Sequence, residues 1–195
     1  MKKVVPVDAV LIPDKAKLVF KGQIFDVYQW QQEMFDGSKA TFEMLKRPDT
    51  VTVIPIIGDR IITIDDTQPH LGTKLGFPGG RVDAGEQALV AIKREMLEET
   101  GYEMKNWRLV KVIQPHFKLE WFINFYVAWD GQKVSEPHLD VGEKIKVSLL
   151  PFEKVKHYAI TKSGYFGEAE DLLVNSGSLD KLKNLAEFSG QEVDR

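Results

Sequence analysis

Between Ile24 and Tyr28 the apolar positions fall near a period of two, Asp36-Gly37 supplies a hairpin turn, and Thr41 to Leu45 reads as the returning strand. This pattern predicts a β-rich N-terminal arm over residues 1–48, broken at Arg47-Pro48-Asp49, and a core domain over 49–195. In the core, Val51–Ile57 and Arg60–Ile64 read as two strands around the turn Gly58-Asp59. Pro55 cannot donate to a strand ladder, which predicts an edge position or a bulge there. Residues 107–113 and 121–129 are strand-like, with a turn expected at Asp130-Gly131, and Ile145–Leu150 is a further apolar run. A glycine-dense loop, 75–85, leads into a helix from about Glu86 to Thr100, which Gly101 stops; Asp83 and Glu86 have capping-box spacing. On a wheel of about 100° per residue, Ile92, Met96, Leu89, Leu97 and Val90 form a broad apolar face, and Ala88 and Ala91 sit beside Glu95, Glu98 and Glu99. Short helices are expected around 152–159, 168–174 and 179–188, so the chain reads as α+β with a mixed sheet.

Composition narrows the function classes. The 195 residues carry 26 Lys+Arg and 29 Asp+Glu, a net charge of −3, which excludes a nucleic-acid binder resting on bulk charge. There are no cysteines, so disulfides, thiol nucleophiles and Cys-ligated zinc are excluded, and a cytoplasmic setting is expected. The most apolar stretch, Trp121–Trp129, is nine residues with Asn124 inside it, whereas a membrane span needs about 20. Lys2 and Lys3 precede a segment that Pro6, Asp8 and Pro13 interrupt, and we read no signal peptide there.

The chemistry concentrates on the helix after the glycine loop. Glu95, Glu98 and Glu99 share one side of it, within about 6 Å at Cβ, and like charges so placed need neutralising. Oxygen ligands without Cys or a His cluster favour Mg²⁺, with Mn²⁺ as the alternative ion. Arg94 adjoins this face and can anchor one carboxylate, with Glu86 as its partner from the loop end. An Arg-Glu-x-x-Glu-Glu stretch alone is usually a solvated helix face. What changes the reading is the register with Gly79-Gly80, where no Cβ keeps backbone away from a metal or a phosphate.

That register, Gly80, five residues, Glu86, seven residues, then Arg94-Glu95-Met96-Leu97-Glu98-Glu99-Thr100-Gly101-Tyr102, resembles the signature of the Nudix hydrolases. Its seven invariant positions, Gly80, Glu86, Arg94, Glu95, Glu98, Glu99 and Gly101, are all filled; chance matching is on the order of 10⁻⁹ per start position. The resemblance implies an α/β/α sandwich and hydrolysis of a nucleoside diphosphate linked to another group. It implies that Glu95, Glu98 and Glu99 bind two or three Mg²⁺ with help from the Gly79 carbonyl. Glu86 and Arg94 would form the supporting ion pair, with Gly80 and Gly101 shaping the loop and helix end.

Lys21–Val27, Asp36-Gly37 and Thr41–Glu43 further resemble the arm of ADP-ribose pyrophosphatases and related sugar-nucleotide enzymes. That implies a homodimer with exchanged arms and a small nucleotide-sugar substrate, with no nucleic acid or membrane as partner. Phe25, Tyr28 or Trp30 would stack on adenine, and Lys46, Arg47 and Arg81 are candidates to contact the substrate. Glu143 resembles the acidic-loop residue that serves as a further metal ligand and often as the base. The candidates for the base, in falling order, are Asp140, Glu143, Glu136 and Glu120. His116 could contact phosphate, though an exposed loop histidine is the stronger reading, and His70, His138 and His157 read as surface. Departures remain: Asp65-Asp66-Thr67-Gln68 stands where the subfamily carries arginines, the loop reads Phe77-Pro78-Gly79-Gly80, and Val141 replaces a glutamate. They leave a nucleoside triphosphate or dinucleotide hydrolase as the alternative, and a non-catalytic nucleotide-binding module as a weaker one.

Overall fold

A computed structural model describes residues 2–69, 71–139, Gly142 and 144–194. His70, Asp140, Val141 and Glu143 lie outside the described residues. Along the chain run β1 (Lys2–Val5), β2 (Lys17–Lys21), β3 (Asp26–Glu33), β4 (Lys39–Lys46), β5 (Thr50–Ile57), β6 (Arg60–Gln68), β7 (Gly72–Gly76) and β8 (Gly79–Arg81). Then come α1 (Ala88–Thr100), β9 (Tyr102–Ile113), β10 (Leu119–Glu120), β11 (Ile123–Lys133), β12 (Lys144–Pro151), α2 (Phe152–Ile160), α3 (Ala169–Ser176), α4 (Leu179–Lys183) and β13 (Gln191–Asp194).

The core is a seven-stranded mixed sheet with the path β12-β6-β5-β11-β9, β7 lying on β6 and β8 on β5. β5 and β11 run parallel, and the other pairs are antiparallel. Both strands read as continuous apolar runs because both faces of the sheet are covered. Val51, Val53, Tyr126 and Ala128 meet Ala91, Ile92 and Met96 of α1 on one face. Ile54, Ile56, Phe125 and Val127 meet Phe152, Val155, Leu173 and Leu182 of α2 to α4 on the other. Each such aliphatic or aromatic side chain contributes about 1.5–3 kcal/mol by leaving water. The result is the expected α/β/α arrangement.

Several local expectations are corrected. Pro55 is buried in a central strand rather than at an edge. Val53 donates its N–H to Pro78 on the β8 side, and amides two residues apart face the same way. The missing N–H of Pro55 therefore falls in the fork where β5 leaves β8, with Thr52 as the last pair, and meets β6 at Ile56. Asp130-Gly131 is no turn: β11 runs through to Lys133, with Asp130 at a φ of 58° and its carboxylate accepting from Asn106. Helix α1 is rotated from the expected wheel, so Ala91, Ile92, Met96 and Glu99 are buried while Leu89 and Val90 are exposed. Ala91 is therefore packed in the helix–sheet interface rather than beside the carboxylates at the surface. Gln87 occupies the N-cap without a side-chain cap, and only the Glu86 half of the capping box forms, its carboxylate accepting from the Asp83 N–H. Part of the glycine loop is strand (β7 and β8), and α4 ends at Lys183 before the chain returns as β13.

The N-terminal half-sheet runs β10-β4-β3-β2. Its β3–β4 hairpin pairs from Asp26↔Lys46 to Glu33↔Lys39 around Gly37, whose φ of 80° suits a residue without Cβ. Strand β1 instead pairs with β13 at the other end of the chain, and Val5 is buried against Val112 and Phe122. No helix among the described residues is long and apolar enough to cross a membrane.

Candidate active site

The site is assembled where β8 runs into α1. Gly79 lies so close on β5 that a Cβ there would stand 2.2 Å from the Val51 carbonyl oxygen. A Cβ on Gly80 would stand 2.3 Å from Oε1 of Glu95. The two glycines thus let the strand pack and let a helix carboxylate lie over its backbone. At the far end, Gly101 takes a φ of 73° and donates to the Leu97 carbonyl, ending the helix just after Glu98 and Glu99.

Arg94 is the hub. Its Nε and Nη2 grip Glu86 at 3.2 and 3.0 Å, Nη2 also reaches the Arg81 carbonyl at 3.0 Å, and Nη1 lies 2.9 Å from Glu95 and 3.1 Å from Glu98. The Arg94 hydrogen bonds hold the Glu86 carboxyl below its ordinary value and raise the guanidinium further. Because Arg94 is about a third exposed, each pair is worth at most about 1 kcal/mol of stability, so the network positions more than it stabilises. Glu99 is buried and accepts the Gly79 N–H at 2.9 Å.

Among the described residues no three acidic or histidine side chains already converge as a metal cage, and Arg94 holds Glu95 and Glu98. The donor set nevertheless fits a hard divalent cation: three carboxylates on adjacent turns, no thiol in the chain, and a loop where Gly80 puts no Cβ beside Glu95. Such a cation would compete with Arg94 for Glu95 and Glu98.

Glu86 also borders a cleft of about 740 Å³ between the arm, the start of α1 and β1, lined by Tyr28, Lys46, Arg47, Asn124 and Tyr126 among others. Phe25 lies beside it: the Arg47 guanidinium carbon is 5.6 Å from the ring centre of Phe25 and 4.4 Å from that of Trp121. Its Nε is buried without a hydrogen-bond partner, and burial lowers its pKa. Lys46 reaches the cleft already paired, 2.7 Å from Glu120. Arg81 pairs with Asp83, and Trp30 lies against Phe42 on the arm. Of the described base candidates, Glu120 is fully buried with its oxygens held by Lys46 and the Ile12 N–H, and exposed Glu136 pairs with Lys133. His116 stacks on exposed Phe117. The sequence reading missed Asn124 and Tyr126 as cleft residues. The signal was there: one amide inside an otherwise apolar strand, with a hydroxyl two residues on and so on the same face.

A NUDIX domain model matches residues 46–166. The chain belongs to the Nudix family. It is 27% identical to a methanol dehydrogenase activator of Bacillus methanolicus, over 77% of this chain and 84% of that protein. It is 30% identical to an ADP-ribose pyrophosphatase of Bacillus subtilis, over 69% of this chain and 75% of the relative. The solved structure of an ADP compounds hydrolase shares the fold, with a TM-score of 0.66 and 23% identity over 89% of this chain and 94% of its own. The protein is a Nudix hydrolase, an enzyme of phosphoric anhydride bonds in a family that generally uses divalent metal.

Proposed function

We propose that this Nudix enzyme cleaves the diphosphate of ADP-ribose or a related nucleoside diphosphate sugar, with Mg²⁺, to a nucleoside monophosphate and a sugar phosphate. The observation that carries the reading is continuity. The carboxylate helix leads through Arg94 and Glu86 into a cleft of about 740 Å³, a volume that suits one uncharged half of such a substrate. Glu95, Glu98 and Glu99 would hold Mg²⁺, which supplies charge neutralisation at phosphorus and an activated water. Arg94 and Glu86 orient the first two carboxylates, and the Gly79 amide fixes the third. Arg47, which borders the cleft with its guanidinium over the rings of Phe25 and Trp121, is placed to meet an anionic part of the substrate. The general base is assigned to Asp140 or Glu143.

The arm would serve a homodimer in the cytoplasm. Edge strand β2 exposes Leu18, Val19 and Phe20, a surface that a second copy of the chain would cover, and light scattering measures that state. Asp65–Gln68, which bring no arginine, favour a second reading as a hydrolase of nucleoside triphosphates or dinucleotides. A screen of ADP-ribose, ADP-glucose, UDP-sugars, NADH and dNTPs with Mg²⁺ decides between them. The proposal expects the highest kcat/KM on a nucleoside diphosphate sugar; a preference for triphosphates or dinucleotides favours the second reading, and no hydrolysis at all favours a binding module.

A further inference from the structure

The floor of the cleft carries an unused polar pair. Asn124 lies on β11, buried, and its Nδ2 donates to the Thr50 carbonyl at 3.1 Å. Thr50 is itself fixed by donating its N–H to Phe122. With the amide so anchored, Oδ1 is turned away from that bond and accepts no hydrogen bond among the described residues. It is not a sealed orphan, because the side chain borders the cleft. Tyr126, two residues on, shares this face about 6.6 Å away and borders the same cleft. Its ring is edge-on to Trp107, and its hydroxyl also has no partner among the described residues. Burial and Glu187 push its pKa up to about 12, so the hydroxyl stays a donor. Of the charges around this cleft, Lys3 pairs with Asp49 and Lys46 with Glu120, whereas Arg47 lies over two aromatic rings and Glu187 acts on the Tyr126 hydroxyl. An open acceptor and an open donor on one strand face suit a neutral hydrogen-bonding edge of a ligand.

We propose that Asn124 is a specificity-determining residue, its Oδ1 accepting from an N–H or O–H donor on the uncharged half of the substrate while the Tyr126 hydroxyl donates beside it. The donor is a base amino group or a sugar hydroxyl. The inference rests on the proposed use of the cleft by the nucleoside side of a nucleoside diphosphate sugar.

The test is the ratio of kcat/KM between ADP-ribose and two analogues, one with hypoxanthine in place of adenine and one with a deoxyribose in its nucleoside half. Wild type should prefer one donor-bearing partner by about 10-fold, the worth of one hydrogen bond made against a fixed acceptor. Asn124→Ala should bring that ratio to near unity through KM, with kcat kept. Asn124→Thr, which refills the volume, carries the same expectation as Asn124→Ala should the latter fail to fold. A lesion that merely loosened β5 would lower both substrates equally and leave the ratio alone. Loss confined to the hypoxanthine comparison assigns the donor to the base, and loss confined to the deoxy comparison assigns it to the sugar. Ratios unchanged for both overturn the inference while hydrolysis continues, whereas no hydrolysis of any nucleoside diphosphate sugar overturns the functional reading instead.

Discussion

Substituting the two loop glycines separates packing from chemistry. In Gly80→Ala the new Cβ would stand 2.3 Å from Oε1 and 2.4 Å from Cδ of Glu95, against an ordinary contact of 3.4 Å. The Glu95 carboxylate must therefore retreat by about 1 Å, a motion a flexible side chain makes cheaply. Gly80 is not in the left-handed region, so alanine adds no backbone strain and gains about 0.4–1 kcal/mol from the unfolded state. The lost Arg94–Glu95 contact is partly solvated and costs at most about 1 kcal/mol. Stability should stay within about 1 kcal/mol, or a Tm shift of about 2–4 °C. Turnover should fall about 100-fold, the cost of misplacing a site group by 1 Å. In Gly79→Ala the Cβ would meet backbone instead, 2.2 Å from the Val51 oxygen and 2.8 Å from the Thr52 Cα. There β8 must part from β5, costing about 1–3 kcal/mol. Thermal melts and Mg²⁺-dependent hydrolysis by both variants test the contrast. A Gly80→Ala enzyme with wild-type activity and Mg²⁺ dependence, or one that loses stability like Gly79→Ala, would refute the reasoning.

Three other expectations follow from the same contacts. Lys46→Met removes one ion-pair partner of the fully buried Glu120 carboxylate and should cost about 3 kcal/mol in urea unfolding, more than Glu120→Gln, which keeps an acceptor for the Ile12 N–H. Glu86 is held below its ordinary 4.5, so its ionised form stabilises the native state above pH 4.5, and that contribution is lost as pH falls through the lowered native value. Glu86→Gln should therefore flatten the stability–pH curve below pH 4.5. Arg47→Leu keeps apolar bulk against Phe25 and Trp121 but removes the guanidinium; KM should rise about 10-fold with kcat and Tm little changed.

How much of this was legible depends on the range of the interactions. Helix α1 and its stop at Gly101, the Gly58 turn and the β3–β4 hairpin are local, and residue type alone marked them. The rotation of α1 was not, because Ala91 and Glu99 are buried by what the sheet and the glycine loop offer them, not by their own hydrophobicity. Pro55 sits centrally because β5 exchanges one neighbour for another there, which no local rule reveals. The β1–β13 pairing joins the two ends of the chain, and each strand is only four residues long. In the site, the Glu86–Arg94 partnership followed from spacing, whereas the burial of Glu120 depended on the position of Lys46 across the β4–β10 pair.

The central claim is that the acidic helix and its glycine loop gather divalent cations around a diphosphate. A crystal structure with Mg²⁺ and a methylene-bridged, uncleavable ADP-ribose tests it most directly. The account predicts cations between the diphosphate and Glu95, Glu98 and Glu99, with Arg94 kept on Glu86 alone and the nucleoside in the cleft over Asn124. A bound analogue with Glu95 and Glu98 still on Arg94 and no cation among the three carboxylates would contradict it.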